Sequence, residues 1–341
     1  MMDTFEILVA LIKVVAVFVA VILAVMVMTL AERRVAGFIQ YRHGPNRVGP
    51  WGFLQPVADG IKFLLKEDII PANVNLPIYL LAPAITMIPA LTTFAVIPFG
   101  APLEVAGRTV QLQVANINIG LLYILALTSV GVYGLVLAGW SSGSKYPLLG
   151  GLRSSAQLIS YELAMGLAII GVVMVSGGLT FNEIIAHQQA TSWNFWKQPI
   201  AALVFLVAMY AETNRLPFDL TEAEQELVGG YHTEYSSFKF AMFFLSEYAN
   251  MVTASAFMVC LFFGGWDIPF VDETQMGAWG VVLSVLVFIA KIGFFLFLYI
   301  WVRWTFPRFR YDQLMRLGWK VLLPLGLVNI FLVGLWMALK V

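Results

Sequence analysis

Cysteine is almost missing from this chain. The single Cys260 sits in the apolar run MVCLFF, which excludes an internal disulfide and any cysteine-ligated cluster built by this chain alone. Histidine is scarce as well. His43, His187 and His232 all fall between apolar runs, which argues against a haem held by two intramembrane histidines. Charge is sparse and balanced: 12% of residues are charged, 20 basic against 20 acidic, so nothing points to nucleic acid. There is no GxGxxG between strand and helix, no Walker run and no metal-ligand cluster, and Gly229-Gly230 alone carries no fingerprint. The parts for hydride transfer and ATP hydrolysis are therefore lacking, and any redox cofactors of the system are expected on partner chains. No internal repeat is visible, which removes direct support for a transporter built from inverted repeats.

What the chain has in quantity is oil. Hydrophobic residues make up 60% of 341, with a mean hydropathy of +0.84, a composition no soluble domain of this length sustains. The N-terminal run has acids before it and no small-residue cleavage site, so it reads as a retained span and not a signal peptide. Eight stretches approach the roughly 20 apolar residues that cross a bilayer. They lie near 5–31, 77–99, 117–140, 157–177, 198–213, 240–264, 277–301 and 321–339, the fifth being the shortest. Pro83 and Pro89 fall inside the second and are expected to kink it. The expected fold is an all-α polytopic membrane protein, a single membrane domain over 1–341.

Basic residues orient it. The segments after spans one, three, five and seven carry fifteen: Arg33, Arg34, Arg42, Arg47, Lys62, Lys66, Lys145, Arg153, Arg215, Lys239, Arg303, Arg308, Arg310, Arg316 and Lys320. The opposite face has Arg108, Lys197 and Lys340. The positive-inside rule then puts both termini outside and these segments inside. Within the first inner segment, Phe53, Leu54, Val57, Ile61, Leu64 and Leu65 recur at helical spacing opposite Asp59, Lys62 and Lys66. That predicts an amphipathic helix lying at the inner interface. On the outer face PLEVAGRTVQLQV predicts a small hairpin and residues 180–190 a short surface helix.

Chemistry is expected where charge meets oil. Residues 212–235 place Glu212, Asp219, Glu222, Glu224, Glu226 and Glu234 directly against an apolar segment, and Glu212 is still inside it. A carboxylate in hydrocarbon costs roughly 2.5–3.5 kcal/mol, so it is retained where it faces a protein interior or hydrated cavity. Glu162, Glu212 and Glu247 fall at similar depth on three successive spans, all in the inner half. Three separately satisfied structural acids would be the bland explanation; a shared hydrated site or proton relay is the better one. Lys13 reads as structural, while Lys291, near the middle of span seven, has the weaker potential to pair with a carboxylate or extend a proton path. The four arginines of ERRVAGFIQYRHGPNRVGPWGFLQP are interleaved with Gly37, Gly44, Pro45, Gly49 and Pro50, a density that argues for a fixed shape beyond a membrane anchor.

The runs ERRVAGFIQYRHGPNRVGPWGFLQPVADGIKFLLKED (32–68) and ETNRLPFDLTEAEQELVGGYHTEYSSFKFAMFFLSEY (212–248) closely resemble the two signature regions of the NADH dehydrogenase subunit 1 family, a membrane component of proton-pumping NADH:quinone oxidoreductase, respiratory complex I. The eight-span layout agrees over essentially the full length. The resemblance implies a heel subunit joining a hydrophilic redox arm to a membrane arm, and forming the membrane end of a quinone chamber. It implies no cofactor on this chain, quinone as substrate, and NADH, FMN and iron–sulfur clusters on partner subunits. By motif position, Arg33, Arg42, Asp59, Arg215, Glu222, Glu224, Glu226 and Glu234 fall on the chamber and its loop network, and Glu162, Glu212 and Glu247 on the proton path. A membrane anchor of a related energy-converting hydrogenase, or a proton-coupled secondary transporter, are the alternative classes.

Overall fold

The structure, a computed structural model, describes residues 4–105, 107–220, 227–268 and 277–340. Helix dominates because, with no water to satisfy the backbone, an apolar run must bond its own amides and carbonyls. Helix α1 (Thr4–Ile39) is followed by the short α2 (Gln55–Leu65) and α3 (Leu76–Thr92), which tightens into a 3₁₀ turn at Thr93–Val96. Strands β1 (Leu103–Val105) and β2 (Arg108–Val110) pair antiparallel, matching the expected hairpin. Then come α4 (Gly120–Ser141), α5 (Lys145–Ser176), α6 (Phe181–Ala190), the one-turn α7 (Asn194–Lys197) and α8 (Pro199–Glu212). The chain closes with α9 (Ser237–Phe262), α10 (Ala278–Thr305), α11 (Tyr311–Leu317), a π turn at Gly318–Leu322 and α12 (Leu323–Lys340).

Among the described residues, seven helices are long and apolar enough to cross a membrane; α8 is the shorter apolar eighth. Its 14 residues reach only about 21 Å at 1.5 Å per residue, short of a 30 Å hydrocarbon core. Helix α9 is the hub. It packs against α1, α3, α8 and α10, and nearly all of its middle is buried. By contrast α1 and α10 are covered on one side only and present Leu11, Val27, Leu286 and Ile289 outward.

The prolines of α3 behave as their chemistry requires. Pro83 has no amide to offer the carbonyl of Tyr79, and the hydroxyl of Tyr235 donates to that oxygen instead, at 3.2 Å. The two rings stack at 4.2 Å, so a neighbouring segment supplies the bond that the helix lost. Helix α6 begins with a capping box in which Thr180 and Glu183 satisfy each other's backbone amides.

Candidate functional site

One end of the bundle gathers the C-termini of α1, α8 and α10, the start of α9 and all of α2. There the carboxylate of Glu32, on the last turns of α1, is buried and surrounded by donors. Arg303 of α10 donates to it, Tyr248 of α9 donates its hydroxyl at 2.5 Å, and Arg215 approaches at 3.4 Å. Arg215 also lies with its Nε 2.5 Å from Glu247 of α9, and its guanidinium stacks over the Tyr248 ring at 4.4 Å. Arg215, Glu32 and Glu247 are each about nine-tenths buried. A single buried charge would be expelled or neutralised; here two carboxylates are met by two arginines and a phenol, which makes their burial tolerable.

This cluster forms the wall between two cavities. The larger, about 580 Å³, is lined by Glu32, Arg33, Arg42, Arg215, Asp219, Tyr248, Arg303 and Arg308. Its five arginines outnumber Glu32 and Asp219, so its field favours polar or anionic groups. Arg308 donates to Asp219 at 2.9 Å and ties the segment after α10 to that after α8. The smaller cavity, about 40 Å³, is lined by Glu212, Asn214, Glu247, Asn250 and Thr128. That is room for a water molecule with several polar partners. Glu162 of α5 accepts a bond from Ser129 of α4, one residue from Thr128, and lies close enough for its charge to act on Glu212. The structure thus brings Glu212 and Glu247 to one small polar space, and holds Glu162 outside its lining, bonded to Ser129.

The other sequence-derived candidates divide. Arg33 pairs with Asp59 of α2 at 2.5 Å, and Lys62 adds a second contact at 3.3 Å. Burial pushes the Asp59 carboxyl up, but the hydrogen bond and charge of Arg33, helped by Gln55 and Lys62, outweigh it and hold the group below the usual carboxylate range. Arg42 lines the large cavity and donates to Gln40 at 2.7 Å. Glu234 contributes its backbone carbonyl, which accepts from Tyr79 at 2.7 Å, and its side chain does not line the cavity. Glu222, Glu224 and Glu226 lie outside the described residues. Lys291 is held elsewhere: its Nζ donates to the carbonyls of Phe263, Gly265 and Asp267 at 2.7–3.0 Å, just past the far end of α9. From Phe263 back to Glu247 is about 24 Å along that helix. Lys13 does the same for the carbonyls of Gln111 and Gln113.

Sequence reasoning gave no individual role to Glu32, Tyr248, Asp219, Arg303 and Arg308. Glu32 carried a signal, because it follows an apolar run longer than a span needs and so begins inside the bundle. Of the arginines counted as orienting charge, Arg33, Arg215, Arg303 and Arg308 have specific carboxylate partners.

A family profile described as NADH dehydrogenase matches residues 12–334. The chain is 55% identical over 332 residues to NADH-quinone oxidoreductase subunit 8 of Rhodothermus marinus, covering 94% of both chains. It is 53% identical over 339 residues to a corresponding NADH-quinone oxidoreductase subunit of Geobacter sulfurreducens, covering 96% of this chain and 94% of the relative. It is 50% identical over 320 residues to a corresponding subunit of the same enzyme from Cytophaga hutchinsonii, covering 94% of both. The chain belongs to the NADH dehydrogenase family. The two runs that carried the resemblance both sit in the site just described: 32–68 supplies Glu32, Arg33, Arg42 and Asp59, and 212–248 supplies Glu212, Arg215, Asp219, Glu247 and Tyr248.

Proposed function

We propose that this chain is the membrane subunit of NADH:quinone oxidoreductase that forms the membrane end of the quinone chamber and passes the consequence of quinone reduction to intramembrane glutamates. The chamber is the 580 Å³ arginine-lined cavity, and the glutamate set is Glu162, Glu212 and Glu247. The carrying observation is Arg215, which faces Glu32 on the chamber side and Glu247 on the other. NADH, FMN and iron–sulfur chemistry belong to partner subunits of the peripheral arm, docked on the end of the bundle that carries α2 and the loops. In this reading α8 makes eight spans, forming a single domain over 1–341. Both termini face the outer side of a bacterial or mitochondrial inner membrane, and α2 lies at the inner interface.

The chemistry asked of these residues is electrostatic. A quinone accepting electrons gains negative charge until protons reach it. Charges about 4 Å apart at an effective dielectric near 20 interact by about 4 kcal/mol, enough to redistribute a guanidinium between competing carboxylates. New negative charge among Arg33, Arg42, Arg215 and Arg303 competes with Glu32 and Glu247 for Arg215. Glu247 and its neighbours then rearrange their protons as a coupled set. Lys291, fixed to backbone carbonyls, is not needed for this.

The test is charge reversal within the assembled complex. Arg42→Glu and Arg215→Glu lower quinone reduction, while NADH oxidation by an artificial hydrophilic acceptor persists. Unchanged quinone kinetics in a fully assembled Arg215→Glu complex removes the chamber from this site.

A further inference from the structure

Glu162 stands apart from the other two glutamates. Glu212 and Glu247 line the small cavity, while Glu162 is held at the seam of α4 and α5 by the hydroxyl of Ser129. A link between Glu162 and the cavity has to pass through groups that lie between them. Thr128, the residue before Ser129, is itself part of the cavity lining.

The two hydroxyls compete for one acceptor. Thr128 donates to the carbonyl of Leu125 at 2.9 Å, and the Ser129 hydroxyl lies 2.9 Å from the same oxygen. Because α4 is helical here, the backbone amide of Ser129, four residues on, claims that carbonyl as well. A carbonyl oxygen has two lone pairs. With Thr128 and the amide in place, the one hydroxyl proton of Ser129 is turned toward the Glu162 carboxylate, which can only accept. Protonation of Glu162 reverses that bond. The carboxyl becomes the donor and Ser129 Oγ the acceptor, so the Ser129 proton has to return to Leu125. Thr128 is then displaced from the carbonyl, and the acceptors left to it lie in the cavity bordered by Glu212 and Glu247. Serine and threonine commonly bond back to their own helix; here the shared acceptor makes the two hydroxyls depend on each other.

The geometry points to Thr128 and Ser129 as positioning residues that join Glu162 to the Glu212–Glu247 cavity through their shared hold on the Leu125 carbonyl. The inference rests on the glutamate set proposed above and gives its outlying member a route into it. No proton crosses the carbonyl. What passes is the direction of the hydrogen bonds: the charge state of Glu162 sets whether Thr128 points at its own helix or into the cavity, and a change in the cavity acts back on Glu162 the same way.

Thr128→Val tests this, because it keeps the side chain's shape and removes a hydroxyl that bonds Leu125, not Glu162. Ser129→Ala removes the direct partner, whereas Thr128→Ser and Ser129→Thr keep both hydroxyls. All four are built into the whole complex beside Glu162→Gln, and assembly is confirmed by NADH oxidation with an artificial acceptor. Infrared difference spectra taken on quinone reduction identify the Glu162 carboxylate band by its loss in Glu162→Gln. That band should shift in Ser129→Ala and also in Thr128→Val, and hold its place in the two hydroxyl-keeping variants. Quinone reduction should fall about tenfold in Ser129→Ala and Thr128→Val, the scale set by one hydrogen bond to a charged group, and recover in Thr128→Ser and Ser129→Thr. Unchanged turnover or an unmoved band in Thr128→Val overturns the bridge even where Ser129→Ala is impaired, because Ser129 is then a local partner only. Failure of the glutamate set looks different: Glu162→Gln itself would leave turnover and pumping intact, and the bridge would fall with it.

Discussion

Arg215 decides how the site behaves because, among the described residues, it is the side chain that faces both carboxylates across the wall. Removing one member of a buried ion pair leaves the other uncompensated, at a cost of roughly 3–5 kcal/mol. Arg215→Met should therefore lower the thermal stability of the assembled membrane arm, whereas Glu247→Gln keeps size and hydrogen-bonding capacity and leaves Arg215 compensated by Glu32. Glu247→Gln and Glu162→Gln complexes should assemble, then lose quinone reduction and proton pumping together. Intact turnover and intact pumping in both variants would show that these carboxylates are structural. Asp59 gives a residue-level pH test. Its folded carboxyl lies below the ordinary value, so the Arg33 contact is fully present above the free-aspartate pKa of about 3.9 and fades only as pH falls through the lower folded value. Seating of α2 on α1, followed by protease accessibility, should be constant between about pH 5 and 8. Asp59→Asn should loosen it across that whole range.

At the level of elements, the hydrophobic runs announced most helices, and the differences have physical causes. Helix α5 starts at Lys145, twelve residues before the predicted 157, because Gly150, Gly151, Ser154 and Gln157 are buried against neighbours although polar or small on any hydropathy scale. Small residues are what let membrane helices approach closely, and a hydropathy window reads them as breaks. The hairpin and the surface helix at 181–190 were legible, since turn residues and periodicity act locally. The partners of Glu32 were not, because its contacts come from α8–α9 and α10, some 180 to 270 residues away in the chain. Lys291 shows the same limit. Its position at mid-span suggested a proton carrier, and the fold gives it three carbonyls at the end of α9, with Trp193 stacked beside it at 4.8 Å. Hydrogen bonds to a charged group contribute roughly 1.5–3 kcal/mol each. Lys291→Met should destabilise the far end of α9, seen as faster amide exchange in residues 258–267, while protons pumped per electron stay unchanged in whatever complex assembles.

The whole molecule is polarised. Its arginines other than Arg108, the short α2 and both cavities with ionisable walls gather at one end. The other end holds the hairpin, α6, and lysines already bonded to backbone carbonyls. In the orientation proposed above, the arginine-rich end lies on the electrically negative inner side of the bilayer. That orientation rests on the complete charge distribution, fifteen basic residues against three by the expected sidedness, and should survive any single substitution. It can be read with cysteine labels, because the lone native thiol, Cys260, is buried and stays silent to aqueous reagents. Ser192→Cys sits exposed just after α6, and Lys66→Cys sits exposed at the end of α2. In spheroplasts a membrane-impermeant maleimide should modify position 192 and spare position 66. Everted vesicles should spare 192, and modification of 192 there, with protection in spheroplasts, would reverse the assigned orientation and move the chamber to the opposite face.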